Sequence, residues 1–496
     1  MSAWKDFVTA ALIGTEKAAL PQLPVPLDSA LNGTVTMDRE MRFLTESGAV
    51  ALSRRAGWKP CLNKTEILLA EAESTGEISR ASAMHLRVML GGRHLPLLSE
   101  WLIECARLQR HVPAELLPAL LDRAAQDRSL RPLALGAGGR RIHWLAAYHP
   151  GWKFAAADSP ELWETGSRDQ RVAILRALRA SAPEEARAKI EAVWKTEPAD
   201  VRTAFIAELL PNLSEEEIPF LETLLDDRSK EVRRAVIDLL ARLPSSPFAM
   251  RMIGRVKPLL VYKKSGILSR ASMEVTLPAD PDPAGLRDGL DSKAFGQQKV
   301  LGEKAVLLVQ LIASVPLDHW GDSPEALLKA AGKNEFGRAL ATGWTWAALR
   351  QRDAMWAEAL LDAKVRPHAE LIPAEPLFGL LPEPARIERL IAMLQDGALK
   401  KGDSATWHSL AGKLAAFPGH WPVRLGREVL AALRLAVHNG IPWHLRALSQ
   451  SLLTGLPPAL LPEAMRGWPV EKEGVGELVE MLTFRHDALL AFSPPP

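Results

Sequence analysis

The 496-residue chain carries 61 Lys+Arg against 59 Asp+Glu, a formal net charge of +2, with 47% hydrophobic and 24% charged residues. This balance excludes wholesale disorder, and it excludes an overall positive field that would draw the whole chain onto nucleic acid or an anionic membrane. The length exceeds what one hydrophobic core usually serves, which favours several domains or one elongated stack.

The first residues predict an amphipathic helix rather than a secretion signal. Residues 1–17 have no basic stretch ahead of their short apolar run, and four charged residues interrupt that run. We find no uninterrupted apolar stretch of about 18 residues, the minimum for a membrane span.

Two cysteines, Cys61 and Cys105, are typical of a reducing compartment. We therefore expect residues 1–60 to form an N-terminal helical cap of a cytoplasmic protein that makes no membrane contact.

Residues 61–160 continue with helical patterns, for example Pro96–Leu108 and Pro113–Ala125. Glycines at 136, 138 and 139 then break the pattern. The sequence Gly-Ala-Gly-Gly-Arg-Arg over residues 136–141 superficially suggests a phosphate-binding loop, but the Lys-Ser/Thr pair of a P-loop is missing. We predict a turn there and no nucleotide site.

A repeat becomes visible when the segments that begin at Arg171, Arg202 and Arg233 are aligned, because each lies 31 residues after the one before. Their apolar positions coincide at helical spacing. The same offset also aligns a second helix in each unit, and two serines have capping-box spacing, in Ser181–Glu184 and Ser214–Glu217. The pattern predicts helix pairs repeating over residues 168–256, within a helical repeat domain that covers residues 61–261.

Residues 224–240 resemble the first helix of a HEAT repeat, with Asp227 and the Val232-Arg233 pair at their usual places. In that family the aspartate and the arginine form a ladder between successive repeats. The two earlier units carry Thr165 and Thr196 at the aspartate position and depart from the pattern. The resemblance implies an all-α fold that begins as a HEAT-like α-solenoid.

The helical period fails over residues 262–302. Met273–Leu277 alternates like a short strand, and Pro278–Pro283 reads as a loop, so we expect an irregular connector that is either functional or merely a linker. A second helical domain is expected over residues 303–492, with residues 493–496 as a frayed tail. Its predicted helices are Glu303–Ala313, Pro324–Ala331, Phe336–Arg350, Ala354–Ala363, Pro384–Leu394, Ala405–Ala416 and Leu425–Val437.

A second resemblance rests on short motifs spread along most of the chain. They are Thr9–Glu16, Leu277-Pro278, Arg287-Asp-Gly289, Gly302–Ala305 and Gly343-Trp344. Together they resemble an uncharacterised bacterial family of helical proteins. The resemblance implies association with an AAA+ ATPase or a von Willebrand A-type protein as partner, and it implies no known reaction.

The sequence gives no support for catalysis. None of the 12 histidines lies in an HExxH motif, no CxxC pair occurs, and no nucleophile elbow is found. We therefore predict no catalytic residue, no cofactor and no metal site, although a hydrolase assembled from distant helices stays open.

Local charge is uneven. Residues 80–141 hold ten arginines and five carboxylates, whereas residues 184–231 hold thirteen carboxylates and six Lys+Arg. Either the solvated helix faces balance each other, or the basic section docks an acidic partner or a phosphate backbone. The candidate partner-binding residues are Arg87, Arg93, Trp101, Arg107, Arg110, Arg140, Arg141, Lys263, Lys264, Arg270 and Arg287.

These patterns favour a non-catalytic helical-repeat scaffold that mediates protein–protein interaction in bacteria. The alternative is a nucleic-acid-binding or repair protein, since some HEAT-like folds act as DNA glycosylases that hold a duplex in a basic concavity. The acidic residues 184–231 would repel a DNA backbone, so the scaffold is the preferred hypothesis.

Overall fold

The computed structural model describes residues 2–31, 36–56, 69–155, 161–264, 271–293, 301–368, 375–396, 404–417, 419–439, 443–469 and 471–492. The chain forms two compact units, which we call the N-terminal unit (residues 1–69) and the main unit (residues 70–496). The all-α prediction is confirmed, because the described ranges are mostly helical and contain only two short two-stranded sheets. The predicted domain boundaries stay predictions.

The described part of the N-terminal unit contains three helices: α1 (Ser2–Ile13), α2 (Val25–Ala30) and α3 (Arg39–Ala56). Their small core centres on Phe7 and Phe43, whose ring centroids lie 5.6 Å apart. Arg39 donates to the carbonyl oxygens of Thr15 and Ala18 at 2.7 Å each, so the start of α3 is tied to the turn after α1.

The main unit begins with a parallel pair of strands, β1 (Gly76–Glu77) and β2 (Arg110–His111). The helices that follow are α4 (Arg80–Leu90), α5 (Leu98–Arg107), α6 (Leu117–Gln126), α7 (Arg131–Ala137), α8 (Gly139–Tyr148) and α9 (Glu161–Thr165). The predicted helices Pro96–Leu108 and Pro113–Ala125 correspond to α5 and α6, each preceded by one 3₁₀ turn. The break at the glycines is also confirmed, since α7 ends at Ala137 and Gly139, the first residue of α8, has φ +65°.

Three helix pairs occupy the repeat region: α10 (Arg168–Ser181) with α11 (Pro183–Val193), α12 (Ala199–Ala207) with α13 (Ile218–Leu224), and α14 (Lys230–Leu240) with α15 (Pro247–Val256). The first helices begin at residues 168, 199 and 230, a constant spacing of 31. The aligned side chains of the second helices, Ile190, Leu221 and Met252, are all fully buried.

Turn chemistry explains where these helices begin. Ser214 and Glu217 form the predicted capping box, in which each residue bonds the backbone of the other. Ser181 does not cap α11, because it is the last residue of α10 and its hydroxyl donates to Ala177. Ser167 with Gln170 forms a capping box for α10 instead.

Two ion pairs recur between successive helix pairs. Arg171 contacts Glu197 at 2.8 Å, and Arg202, the residue 31 positions later, contacts Asp227 at 2.9 Å. Asp227 also accepts from the backbone N–H of Ser229, which lies at the turn into α14. Arginine–carboxylate contacts therefore link each helix pair to the next. In the turn before α12 the carboxylate comes from Glu197, which follows Thr196, the residue aligned with Asp227.

The connector starts as an antiparallel hairpin of β3 (Leu260–Lys263) and β4 (Ser272–Val275), followed by α16 (Pro283–Arg287). The strand predicted at Met273–Leu277 is confirmed over its first half. Asp288 is 2% exposed and accepts from Arg251 and Arg255 of α15, and Arg287 forms a two-point contact with Asp226. The Arg-Asp-Gly motif thus fastens the connector onto the repeat region.

Gly289 completes that motif by its backbone conformation. Its φ is +83°, and a β-carbon there would overlap the end of the Ile237 side chain. We expect Gly289→Ala to destabilise the main unit by about 1–3 kcal/mol, from left-handed strain and overpacking. Gly254→Ala is the matched control, because Gly254 lies in α15 with open space around it and alanine is the better helix former by about 1 kcal/mol. Urea unfolding should move the two variants in opposite directions, and equal behaviour would contradict this account.

The described residues from 301 onward are mostly helical and confirm the seven predicted helices to within two residues at each end. Its helices are α17 (Glu303–Ala313), α18 (Pro324–Ala331), α19 (Gly337–Gln351), α20 (Ala354–Asp362), α21 (Glu375–Leu380), α22 (Glu383–Gln395), α23 (Ser404–Ala415), α24 (Val423–His438), α25 (Trp443–Gly455), α26 (Leu461–Ala464) and α27 (Val475–Leu490). Helices α17 and α19 pack closely, since a β-carbon on Gly343 would lie 2.7 Å from Ile312 Cβ. Trp344 and Trp356 pack in the core beside this contact.

The last helix of the main unit packs against its first helices. Helix α27 lies on α4 and α5, where Arg485 donates twice to Glu100 at 2.7 Å and His420 lies 2.8 Å from the same carboxylate. Phe484 stacks on His94 with 4.2 Å between ring centroids. We call this set of contacts the closure, because it joins the two sequence ends of the main unit.

No helix within the described ranges combines the length and apolar character that a bilayer span requires.

Candidate partner-binding cleft

The predicted binding residues divide according to whether another side chain already neutralises them. Arg107 forms a two-point contact with Glu104, Arg93 pairs with Glu480, and Arg140 pairs with Glu71. Lys263 pairs with Glu274, Lys264 pairs with Asp322 at 3.7 Å, and Arg287 is held by Asp226. Within the described ranges, Arg87, Arg110 and Arg141 are exposed and make no ion pair.

Two of the predicted residues stand apart from this division. Trp101 is 1% exposed and packs on Phe492 with 5.0 Å between ring centroids, so its place is the core rather than a binding surface. Arg270 lies outside the described residues.

Arg110 and Arg140 come together with the glycine-rich turn in one cleft of about 220 Å³. We call it the Glu73 cleft. Its lining residues are Glu73, Ser74, Thr75, Ala106, Gln109, Arg110, His111, Leu135, Gly136, Gly139, Arg140 and His143. The pairing of β1 with β2 brings residues 73–75 beside residues 109–111, and the turn before α8 supplies the opposite wall.

Glu73 occupies the amino end of α8. Its carboxylate accepts from the backbone N–H groups of Arg140 at 2.7 Å and Arg141 at 2.9 Å, which a helix start leaves without partners of their own. Burial raises the pKa of the Glu73 carboxyl, but these two hydrogen bonds and the charges of His111 and Arg141 outweigh it, so the pKa lies below its ordinary value. Glu73 is therefore a carboxylate at neutral pH.

Two histidines lie in the cleft wall. His111 is 7% exposed, and its Nδ1 lies 3.1 Å from Thr75 Oγ1. His143 Nδ1 donates to Ala155 O at 2.8 Å, because a carbonyl oxygen can only accept. That bond fixes the His143 ring and leaves its Nε2 as the atom that can face another group.

The cleft suits the recognition of acidic groups better than bond cleavage. A hydroxyl, an imidazole and a carboxylate are close together at Thr75, His111 and Glu73, but the two backbone N–H groups that could stabilise an oxyanion are already bound to Glu73. Arg110 lines the cleft and Arg141 lies in the first turn of α8, and both side chains are exposed and make no ion pair within the described ranges. The local arrangement thus holds one carboxylate and offers two further charges to an incoming one.

Nucleophilic and metal chemistry gain no support from the other candidate groups. Burial raises the pKa of the Cys105 thiol to about 12, so it is protonated at neutral pH and behaves as a core side chain. Among the described residues, no group of three His, Cys, Asp or Glu side chains is placed to hold a metal ion. Cys61 lies outside the described residues.

Comparison with known proteins decides the family. Residues 6–492 match DUF5691, a family of unknown function. The chain belongs to DUF5691. The match covers nearly the whole DUF5691 chain, which confirms the predicted resemblance to an uncharacterised family of helical proteins. Neither a curated protein nor a solved structure matches this DUF5691 chain.

Sequence reasoning missed Glu73, the residue on which the cleft is centred. The signal was weak, because one glutamate in a non-helical stretch carries no motif. The glycine-rich turn was the available clue, since glycine before a helix start exposes backbone N–H groups that attract an anion.

Proposed function

We propose that this DUF5691 chain is a non-catalytic scaffold that binds a protein partner through the rim of the Glu73 cleft. The observation that carries the proposal is that Arg110 and Arg141 are exposed and make no ion pair within the described ranges, beside a helix start that already holds a carboxylate. The partner is an acidic protein surface. On the family resemblance, an AAA+ ATPase or a von Willebrand A-type protein is the proposed source of that surface.

We also infer that residues 168–256 form a HEAT-like stack, which is the framework of the scaffold. Three features support it: the 31-residue spacing of helix starts, the recurring contacts Arg171–Glu197 and Arg202–Asp227, and aligned buried side chains. Stacked helix pairs present an extended surface that suits a protein partner. With Cys105 unpaired, the cytoplasm stays the proposed location.

Charge reversal at the rim tests the proposal. We expect the double variant Arg110→Glu, Arg141→Glu to bind a fluorescent poly-glutamate peptide roughly 10–100-fold more weakly than the natural chain, because two attractions become repulsions. The matched control is Arg228→Glu, Arg234→Glu, which changes net charge equally at two exposed arginines, one within residues 184–231 and one just after them. Fluorescence anisotropy at low salt measures both, and equal weakening in the two variants would show that net charge, rather than the cleft, governs binding.

Nucleic-acid binding is the second candidate, and the free guanidinium groups of Arg87, Arg110 and Arg141 favour it. A DNA titration over a range of salt decides the matter, since each neutralised phosphate adds about 0.9 to the slope of log affinity against log salt. We expect no measurable affinity at physiological salt. A steep slope that Arg87→Ala reduces would instead support the nucleic-acid role.

A further inference from the structure

Helix α3 of the N-terminal unit has one face buried in the core of the unit and, on the opposite side, an exposed apolar face. Phe43, Glu46 and Val50 lie on the side that packs into the core of the unit. On the other side, Met41, Leu44 and Leu52 are 51%, 63% and 67% exposed. Large apolar side chains along one helix face are the usual mark of a surface that another helix covers.

The exposed face follows a symmetric pattern. Met41, Leu44, Gly48, Leu52 and Arg55 are separated by 3, 4, 4 and 3 residues, which keeps them on one side of a helix over about 21 Å. Gly48 stands at the centre, and a β-carbon there would meet no atom within 4 Å. The spacing reads the same from either end, so an antiparallel second copy centred on Gly48 would place Leu44 opposite Leu52 and Met41 opposite the aliphatic stem of Arg55.

Charge at the ends of the stripe agrees with that direction. Glu40 is exposed at one end and Arg55 at the other, and neither forms an ion pair within the described ranges. An antiparallel second copy would place Glu40 of each chain beside Arg55 of the other. Leu44 would then face Leu52, and the two Gly48 positions would meet at the twofold axis, where the lack of side chains allows close approach.

We propose that α3 pairs antiparallel with α3 of a second copy of this chain, so that the N-terminal unit is a dimerisation element. One helix face of this length offers less than the roughly 1,000 Å² that a stable interface buries, so the dimer forms and dissociates with concentration. The occupant is a second copy because the stripe, its central glycine and its terminal charges are complementary to themselves.

A charge-swap experiment tests the pairing in the full chain. Sedimentation velocity over a wide concentration range should show Glu40→Arg and Arg55→Glu each dimerising at least tenfold more weakly, since each puts like charges opposite one another. An equimolar mixture of the two variants should recover dimers, because opposite charges then face each other at both ends. A mixture that stays as weak as its components would overturn the antiparallel arrangement.

A cysteine trap tests the same contact in a way that does not depend on charge. With Cys61 replaced by serine, Gly48→Cys should give a disulfide-linked dimer on mild oxidation with diamide, because two residues at the axis lie within disulfide reach. Ser53→Cys, exposed on α3 but off the stripe, is the control and should stay largely monomeric. Leu44→Arg should abolish the trapped dimer while circular dichroism stays unchanged. A chain that remains monomeric at all concentrations, with no trapped dimer, would show that something other than a second copy covers the stripe.

Discussion

Replacing Arg485 with alanine is expected to destabilise the main unit by about 3–5 kcal/mol, because it removes one partner of a buried ion pair. Arg485 is 1% exposed and makes two hydrogen bonds of 2.7 Å to Glu100, whose side chain is 15% exposed. The variant leaves Glu100 with only His420 beside it, and a buried carboxylate that loses an arginine pays a large desolvation cost.

The expected damage is local to the closure. Hydrogen exchange should rise first in α27 and in the parts of α4 and α5 that it covers, while the repeat region keeps its protection. Arg93→Ala is the matched control, since Arg93 pairs with Glu480 across the same closure but both side chains are more than half exposed. Such a surface pair contributes about 0–1 kcal/mol. If Arg485→Ala and Arg93→Ala lost similar amounts of stability, the buried Arg485–Glu100 pair would not be what stabilises the closure.

The Glu100 pair also gives the closure a pH dependence of known sign. Burial raises the pKa of the Glu100 carboxyl, but the hydrogen bonds and charges of His420 and Arg485 outweigh it and hold the pKa below the ordinary value of 4.5. A carboxyl with a depressed folded-state pKa stabilises the fold above the unfolded pKa and loses that contribution as the pH falls through the folded value. The closure should therefore weaken below about pH 4.5, and Glu100→Gln should reduce this part of the acid sensitivity.

The second large effect is expected at Arg179, whose side chain is completely buried between two helix pairs. It contacts Glu217 at 2.8 Å, and it donates to the carbonyl oxygens of Leu209, Pro211 and Asn212 at 2.8–2.9 Å. Arg179→Ala leaves a buried carboxylate and four carbonyl groups, that of Pro183 included, without this partner. We expect a loss of about 3–5 kcal/mol in the free energy of unfolding.

Two comparisons separate this buried pair from ordinary surface charge. Arg168→Ala removes an arginine from the same helix α10, but both side chains of its pair with Asp200 are more than half exposed, so the urea midpoint should barely move. The double variant Arg179→Met, Glu217→Gln should lose less than the sum of its two single variants, because neither residue is then left as an unpaired buried charge. Strict additivity would argue against a direct contact.

Local patterns in the sequence were sufficient for most helices. Apolar spacing marked all seven predicted helices after residue 303, and the 31-residue offset marked the starts of α10, α12 and α14. These features depend on residues that are close together in sequence, so they can be recognised from a single sequence. The closure depends on residues separated by 385 positions, Glu100 and Arg485, and no local pattern carries that information.

The arginine contacts between successive helix pairs show that aligning positions strictly can miss the residue that makes a contact. The HEAT pattern requires an acid where Thr196 stands, and the sequence therefore gave no reason to expect a contact there. The structure supplies Glu197, one residue later, because a turn can deliver a neighbouring side chain to the same arginine. Backbone geometry at the turn, which the sequence does not specify, decides which acid reaches Arg171.

The candidate site was predicted in part. Composition identified a basic section, and Arg110 and Arg141 remain unneutralised there, but charge counting could not tell them from Arg93, Arg107 and Arg140, which have carboxylate partners. Trp101 was grouped with the arginines because it lies among them in sequence, yet its ring packs in the core. Pairing and burial are properties of the folded chain, so they could be read only from the structure.

The most direct test of the scaffold account is quantitative affinity purification of the tagged chain from its own cells. The natural chain and the control variant Arg228→Glu, Arg234→Glu should each recover the same protein in near-stoichiometric amount, and Arg110→Glu, Arg141→Glu should lose it while keeping a native circular dichroism spectrum. Recovery of the same protein by all three chains, or of none by the natural chain under gentle conditions, would contradict the account.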